Sequence, residues 1–420
     1  MYNTTKILNG TVELKGDKSL SHRLLMIASL IQANSSLKNI SISRDVYATI
    51  ECLRQCNIKI DYGNEITKIY KSNFIQPEVI LNCENSGSTL RMLMGLLHGQ
   101  GISAKFNGDA SLQKRPMNRI MIPLKKMGAT FEQSHEGFPI SMHSLNNYSI
   151  KYDEKTKSAQ VKTSLIFAGL GSSEISYISY NKATRDHTEK IMNSIGFDIA
   201  IKNKISVRKS NVKVGLNVTI PGDLSSAAFI IAAAILIPNS NVIIKNLLYN
   251  KTRMTFINIL IKMGAKISIK NISNETCGMQ SCDLYIKYSK LLKGVEVKDN
   301  DTIGIIDEIP ILSIIGCFAK GVTHIQNIKE LKVKESNRMH AIYYNLYKMG
   351  ADISQDGDSI KIKGHKKLYN TSINHFNDHR IAISFEIMRL VIGESMSYEY
   401  SNIIDVSFPD FYRTIDELLS

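Results

Sequence analysis

The sequence predicts an α/β protein of two domains, each made of three copies of one repeated unit. Three observations lead there. An Arg-led phrase recurs along the chain: Arg, an amphipathic run, Met-Gly-Ala or a variant, then a strand-like alternation. A second helical phrase, opened by Ser or Asp, interleaves with it six times. The chain has 420 residues, and at roughly 100–200 residues per domain that asks for two to four domains.

The Arg-led phrase runs from Arg115 to Met127-Gly128-Ala129 and from Arg185 to Ile195-Gly196-Phe197. It returns from Arg253 to Met263-Gly264-Ala265 and from Arg338 to Met349-Gly350-Ala351. A weaker copy spans Arg44 to Cys56-Asn57-Ile58, and a truncated one runs from Phe408-Pro409-Asp410 to Leu419. Gly and Asn at these ends tolerate the left-handed backbone that stops a helix. A β-alternating run follows, as in Ala265-Lys266-Ile267-Ser268-Ile269-Lys270. The second phrase starts at Ser19, Ser86, Ser158, Ser225, Asp307 and Asp378. Ser and Asp there accept hydrogen bonds from the exposed N–H groups of the first helical turn. The chain therefore reads as six units of helix–strand–helix–strand, each of about 70 residues. The turn signal Pro221-Gly222-Asp223 marks the midpoint. The first strand, Thr11 to Leu14, precedes unit one, while unit six ends without its final strand. Counting then lets the first strand complete the last unit, with the N-terminus in the second domain.

Composition narrows the function. Hydrophobic residues make up 43% and charged residues 21%, ordinary globular values that exclude a disordered, collagen-like or coiled-coil chain. The 52 Lys and Arg against 38 Asp and Glu give a net charge of +14, which suits anionic partners: nucleic acid, acidic lipid, or phosphorylated and carboxylated metabolites. Trp is absent and aromatics are 7%, which disfavours a base-stacking platform. The cysteines at 52, 56, 83, 277, 282 and 317 form no Cys-x-x-Cys pair, so thiols in a reducing compartment are expected and no metal site is. The start, Met1 to Lys6, has no apolar leader. The apolar run Ala227 to Ile237 is too short for a membrane span, which takes about 20 residues. A cytoplasmic protein without membrane contact is the expectation.

Polar residues gather at helix starts. Lys18-Ser19 with Arg23, Asn85-Ser86-Gly87, and Ser158-Ala159-Gln160 with Lys162 open Ser/Asp-led helices. Arg115, Arg185, Arg253 and Arg338 open Arg-led ones. Helix N-termini attract anions through unpaired N–H groups and aligned dipoles, and added Arg and Lys would suit two anionic small molecules. Asp307-Glu308 and Glu335, each beside a helix start of the fifth unit, stand out in this basic setting. Carboxylates flanked by Lys and Arg stay ionised and can move protons. The plainer role is an N-cap for Asp307 and a capping-box carboxylate for Glu335, and residue types alone leave both readings open. Cys52 and Cys56, four apart on an apolar helix face, read as core rather than ligands. There is no Walker loop, His-Glu-x-x-His or Gly-x-Ser-x-Gly, and Gly169-Leu170-Gly171 falls in the wrong order for a dinucleotide fingerprint.

These residues carry a resemblance over essentially the whole chain. In order come Gly16-Asp17-Lys18-Ser19-Leu20-Ser21-His22-Arg23, Asn85-Ser86-Gly87-Ser88-Thr89-Leu90-Arg91, Lys114-Arg115-Pro116-Met117, Ser158-Ala159-Gln160-Val161-Lys162 and Arg185-Asp186-His187-Thr188-Glu189. Then follow Pro221-Gly222-Asp223-Leu224-Ser225-Ser226-Ala227-Ala228, Ile306-Asp307-Glu308-Ile309-Pro310, Val333-Lys334-Glu335-Ser336-Asn337-Arg338, Asn377-Asp378-His379-Arg380 and Ser407-Phe408-Pro409-Asp410-Phe411. Together they resemble the 5-enolpyruvylshikimate-3-phosphate synthase family of enolpyruvyl transferases. The resemblance implies a two-domain inside-out α/β barrel, each domain three copies of a βαβαββ unit, with the active site in the interdomain cleft. It implies an N-terminal domain of residues 16–224 that mainly holds shikimate 3-phosphate. The C-terminal domain would be residues 225–420 completed by 1–15, the first strand included.

The implied reaction moves the enolpyruvyl group of phosphoenolpyruvate to the 5-hydroxyl of shikimate 3-phosphate and releases phosphate, a shikimate-pathway step toward chorismate and the aromatic amino acids. The resemblance makes Asp307, Glu335 and Lys18 the catalytic set: Asp307 takes the hydroxyl proton, and Glu335 protonates the methylene carbon. It places Lys18, Gly87, Arg115, Gln160, Arg338 and Arg380 on phosphoenolpyruvate. It places Lys18, Ser19, Arg23, Ser158, Ala159, Gln160, Asp307 and Lys334 on shikimate 3-phosphate, with Arg185 as a further contact. It implies a monomer with no metal, organic cofactor or nucleic-acid partner.

One position departs from the pattern. Many family members have Lys just before the Ser/Thr-Phe-Pro-Asp element, where this chain has Val406. Two alternatives stand beside this reading. A UDP-N-acetylglucosamine enolpyruvyl transferase would share the fold, but usually has a Cys in the loop before the matching Arg; Asp109 to Arg115 has none. A nucleic-acid-binding relative of the same repeat fold would need a basic stripe with stacking aromatics.

Overall fold

The computed structural model describes residues 6–63, 65–134, 137–181 and 184–419. Met1 to Thr5, on which the absence of an apolar leader partly rests, lie outside the described residues. The chain forms two compact bodies. One consists of Gly16–Ile220 with Asn274–Met279; the other of Met1–Lys15, Pro221–Ser273 and Gln280–Ser420. The passage at the midpoint thus lies between Ile220 and Pro221, at the start of the Pro-Gly-Asp turn rather than after Leu224.

Among the described residues there are five four-stranded sheets, and all share one order. Within each, the first and second strands of the unit lie parallel, the fourth lies antiparallel to the second, and the third pairs antiparallel at the edge. A helix between the first two strands returns the chain to run parallel, and a short connection between the last two makes them antiparallel. The repeat legible in the sequence is therefore a βαβαββ unit in space.

Two strands are exchanged. Strand Asn9–Glu13 precedes helix Lys18–Leu30 in sequence, yet pairs in parallel with Asn241–Tyr249. Strand Asn217–Thr219 precedes helix Leu224–Leu236, yet pairs in parallel with Ser35–Lys38. The first strand accordingly completes the sheet of the fourth unit. This corrects the expectation from counting, which gave it to the last unit. The last unit has helices His379–Val391 and Phe411–Leu418, and an isolated bridge joins Leu8 to Leu419. No four-stranded sheet accompanies them among the described residues.

The Ser/Asp-led helices form the cores. Leu224–Leu236, Ile309–Phe318 and His379–Val391 pack on one another and are buried around nearly their whole circumference. That is why their apolar residues fill every face instead of one stripe. In the other body, helices Gly87–Gly99 and Ala159–Gly169 make the tightest contact. A Cβ on Gly95 would sit 2.1 Å from the Ser164 carbonyl oxygen, so the two backbones can approach only because no side chain stands there. The Arg-led helices end as expected: Gly128, Gly196, Gly264 and Gly350 have φ of 102°, 96°, 96° and 85°. The core thiols also follow expectation. Cys52, Cys56 and Cys83 are buried, and burial pushes the Cys56 thiol up to about 12.

Candidate active site

Each body presents its own cluster of the predicted residues. The caps that build these clusters correct half of the expected helix starts. Ser86, Ser158 and Asp378 do cap, accepting from the N–H groups of Thr89, Val161 and Arg380. For the other three the cap lies elsewhere. Asp17 caps the helix at Lys18, Asp223 the helix at Leu224, and Glu308 occupies the N-cap position before Ile309 without a side-chain bond. Ser19, Ser225 and Asp307 are thereby released from capping.

In the body beginning at Gly16, Asp17 holds the first turn while Lys18 pairs with Asp45 at 2.6 Å. Arg23, 2% exposed, donates from Nε to Thr188 Oγ1 at 3.0 Å and from a terminal nitrogen to the Ser19 carbonyl at 2.8 Å. Arg185 donates to Ser19 Oγ at 2.6 Å. Beside Arg23, His22 is buried and bonds through Nδ1 to Thr49 Oγ1 at 2.7 Å. Burial, with Lys18 and Arg23 nearby, pushes its imidazole well below the ordinary range and keeps it neutral.

Gly87 opens the next helix between two guanidinium groups. A Cβ there would lie 3.1 Å from an Arg91 nitrogen and 3.2 Å from an Arg115 nitrogen. Arg115 donates to Asn85 and Ser111. Arg91 donates to Gln160 Oε1 at 2.8 Å, and Gln160 donates in turn to Ser88 Oγ at 2.9 Å. Gln160 thus bonds both to Arg91 and to Ser88, the residue after Gly87. Ser158 caps the helix that Ala159 begins, and its own N–H donates to Glu154 at 3.2 Å.

In the other body, Arg338 is the centre. It is 1% exposed and forks onto Asp378: Nε to Oδ2 at 2.7 Å and a terminal nitrogen to Oδ1 at 3.3 Å. The same guanidinium meets Glu335 at 2.5 Å and Asp307 at 3.5 Å. Burial opposes its charge, but Asp378, Glu335 and Asp307 outweigh that penalty and raise its pKa, so it stays a cation. Lys334 reaches Asp307 at 3.2 Å, and Arg380 donates to the Asp307 carbonyl oxygen at 2.9 Å.

This geometry removes the capping role from both acids. Asp307 lies one residue before the N-cap and faces Lys334 and Arg338. Asn337 caps the helix Arg338–Lys348, accepting from the N–H of His340, and Glu335 lies outside it on Arg338. Neither acid caps a helix. Both are carboxylates held on one buried guanidinium.

A pattern across repeats joins the two clusters in kind. Four arginines of the Arg-led phrase reach the start of a Ser/Asp-led helix: Arg115 to Asn85, Arg185 to Ser19, Arg253 to Ser225 and Arg338 to Asp378. Sequence spacing identified the arginines but not these partners. It also missed Asp45 and Thr188, and named Glu308 only beside Asp307. Glu308 accepts from Ser225 Oγ at 2.6 Å and lies 3.8 Å from Arg380. Among the described residues no group of three or more His, Cys, Asp or Glu is suited to a metal ion, and no helix is long and apolar enough to cross a membrane.

Comparison with known proteins matches the chain over nearly its whole length. The sequence profile of the family described as EPSP synthase (3-phosphoshikimate 1-carboxyvinyltransferase) aligns with residues 2–415. A 3-phosphoshikimate 1-carboxyvinyltransferase of Persephonella marina is 36% identical, covering 98% of each chain. One of Petrotoga mobilis is 38% identical, covering 99% of this chain and 98% of its own. Among solved structures, an EPSP synthase of Acinetobacter baumannii superposes with a TM-score of 0.84 at 31% identity, covering 100% of this chain and 99% of its own. The enolpyruvyl transferase NikO of Streptomyces tendae, at 14% identity and a TM-score of 0.76, shares the fold. The chain belongs to the EPSP synthase (3-phosphoshikimate 1-carboxyvinyltransferase) family.

Proposed function

We propose that the protein transfers the enolpyruvyl group of phosphoenolpyruvate to the 5-hydroxyl of shikimate 3-phosphate, giving 5-enolpyruvylshikimate 3-phosphate and phosphate. The observation that carries this reading is the placement of Asp307 and Glu335 on one buried arginine, in a chain matched over its whole length by the family. Addition requires a proton to leave the attacking hydroxyl and a proton to reach the methylene carbon. Asp307 takes the first and Glu335 delivers the second. Elimination then removes a proton from the same carbon as phosphate leaves, so the carboxylates work in both directions.

The cations divide the anionic groups between them. Arg338 and Arg380, with Arg115, Lys18, Gly87 and Gln160, take phosphoenolpyruvate. Lys18, Ser19, Arg23, Ser158, Ala159, Gln160, Asp307 and Lys334 take shikimate 3-phosphate. Arg forks suit carboxylate and phosphate oxygens, and the helix start at Gly87 adds backbone N–H groups aimed at an anion. The protein acts as a monomer in the cytoplasm, without metal or organic cofactor.

Phosphate release from phosphoenolpyruvate tests the reading. Release is expected with shikimate 3-phosphate and not with UDP-N-acetylglucosamine; release only with the nucleotide sugar, or with neither, overturns it. Val406 supplies a second test. The side chain has no charge where many family members have Lys, so one charge-assisted contact to phosphoenolpyruvate is either missing or supplied by another residue. Val406→Lys is expected to lower the KM for phosphoenolpyruvate about tenfold, the value of one hydrogen bond to a charged group. An unchanged KM in steady-state kinetics would show that another cation already serves that place.

A further inference from the structure

Helix His187–Ser194 holds none of the residues assigned above to a substrate, yet contacts at its start tie down two helices that do. Arg185, just before it, donates to Ser19 Oγ at 2.6 Å. Glu189 pairs with Lys162 at 2.6 Å, both side chains 1% exposed, and so ties down the first turn of the helix that begins at Ala159. Thr188 accepts from Arg23 Nε at 3.0 Å and shares a 2.7 Å hydrogen bond with Thr163 Oγ1.

The Thr188 contact is the informative one. A guanidinium Nε–H can only donate, so the Thr188 hydroxyl must act as acceptor toward Arg23. It also shares a hydrogen bond with Thr163 Oγ1, on a different helix, in which either hydroxyl can donate, and this second bond restrains the Thr188 hydroxyl. Arg23 is then pinned at two points, Nε on Thr188 and a terminal nitrogen on the Ser19 carbonyl. Together with the attachment of the side chain to its helix, these two bonds fix the guanidinium and hence the direction of the nitrogen edge it offers. Thr188 and Thr163 are themselves fully buried, at 0% and 1% exposure, and do not meet solvent.

We propose that Thr188, braced by Thr163, is a positioning residue for shikimate 3-phosphate: it orients Arg23 toward the anionic group that Arg23 binds. This rests on the assignment of Arg23 to that substrate made above. Valine keeps the shape of threonine but cannot accept, so Thr188→Val leaves Arg23 without this anchor and lets its plane turn.

The test is steady-state kinetics on the full-length protein with both substrates varied, with Arg23→Ala as control. Thr188→Val is expected to raise the KM for shikimate 3-phosphate about tenfold, with kcat and the KM for phosphoenolpyruvate within about twofold of wild type. Thr188→Ser, which restores the acceptor, is expected to recover the wild-type KM, and Thr163→Val to raise it by a smaller factor. An unchanged shikimate 3-phosphate KM in Thr188→Val, while Arg23→Ala is defective, overturns the positioning role and leaves the function intact. So does a loss spread over kcat and both KM values that serine does not rescue. An Arg23→Ala enzyme with unaltered shikimate 3-phosphate KM overturns the substrate assignment, and the proposal with it. If Thr188→Val does not fold, Thr163→Val decides, and an unchanged KM there overturns the proposal.

Discussion

Asp307→Ala is expected to abolish turnover while phosphoenolpyruvate still binds. Asp307 contributes a carboxylate at the edge of the cluster, 19% exposed, against Lys334 and Arg338. On the proposed roles its removal deletes the base for the hydroxyl, and a positioned base is typically worth a factor of about 10²–10⁴. Arg338 keeps its orientation in the variant, because Asp378 and Glu335 still hold it. Binding and chemistry should therefore separate. Titration calorimetry with phosphoenolpyruvate and shikimate 3-phosphate reports the first, and phosphate release the second. Wild-type rates would remove Asp307 from the mechanism, and loss of phosphoenolpyruvate binding would make it a structural partner of Arg338.

Arg338→Ala carries the largest expected effect on stability. Asp378 is fully buried and is the N-cap of His379–Val391, so the substitution leaves a buried carboxylate facing Glu335 and Asp307 without the guanidinium that balances all three. Breaking a buried pair from one side costs about 3–5 kcal/mol. Chemical denaturation should show a loss of this size together with loss of activity. Arg338→Lys should recover little of either, since an ammonium cannot fork onto Asp378 and reach Glu335 together. The double variant Arg338→Ala/Asp378→Asn should be more stable than the Arg338→Ala single variant, because the uncompensated charge is gone. Additive losses would show that Asp378 is not the group that Arg338 neutralises.

The two acids show where local reading stops. An acid near a helix start is most simply a cap, and Asp307 and Glu335 each stand within three residues of one. What decides otherwise is a shift of one or two residues in where the helix begins. That shift is set by Pro310 in the first turn after Glu308, and by Asn337 taking the cap before Arg338. The same shift moves Ser19 and Ser225 out of capping, because Asp17 and Asp223 lie two residues earlier and accept first. Each released side chain then turns to an arginine: Ser19 to Arg185, Ser225 to Arg253, and Asp307 and Glu335 to Arg338.

The sequence alone determined the repeat, the helix-ending glycines, the arginines and the order of family motifs, and with them the family. These are local signals: periodicity, a residue able to take positive φ, and charges at helix starts act within a few positions. Only the tertiary structure decided the rest. Strands Asn9–Glu13 and Asn217–Thr219 exchange sheets, and Asp378 binds Arg338 from 40 residues away. Thr188 anchors Arg23 across 165 residues. Parallel pairing carries no register mark in either strand, and a buried guanidinium takes whichever carboxylate or hydroxyl the packed helices bring to it. Such partnerships arise from close packing of the cores.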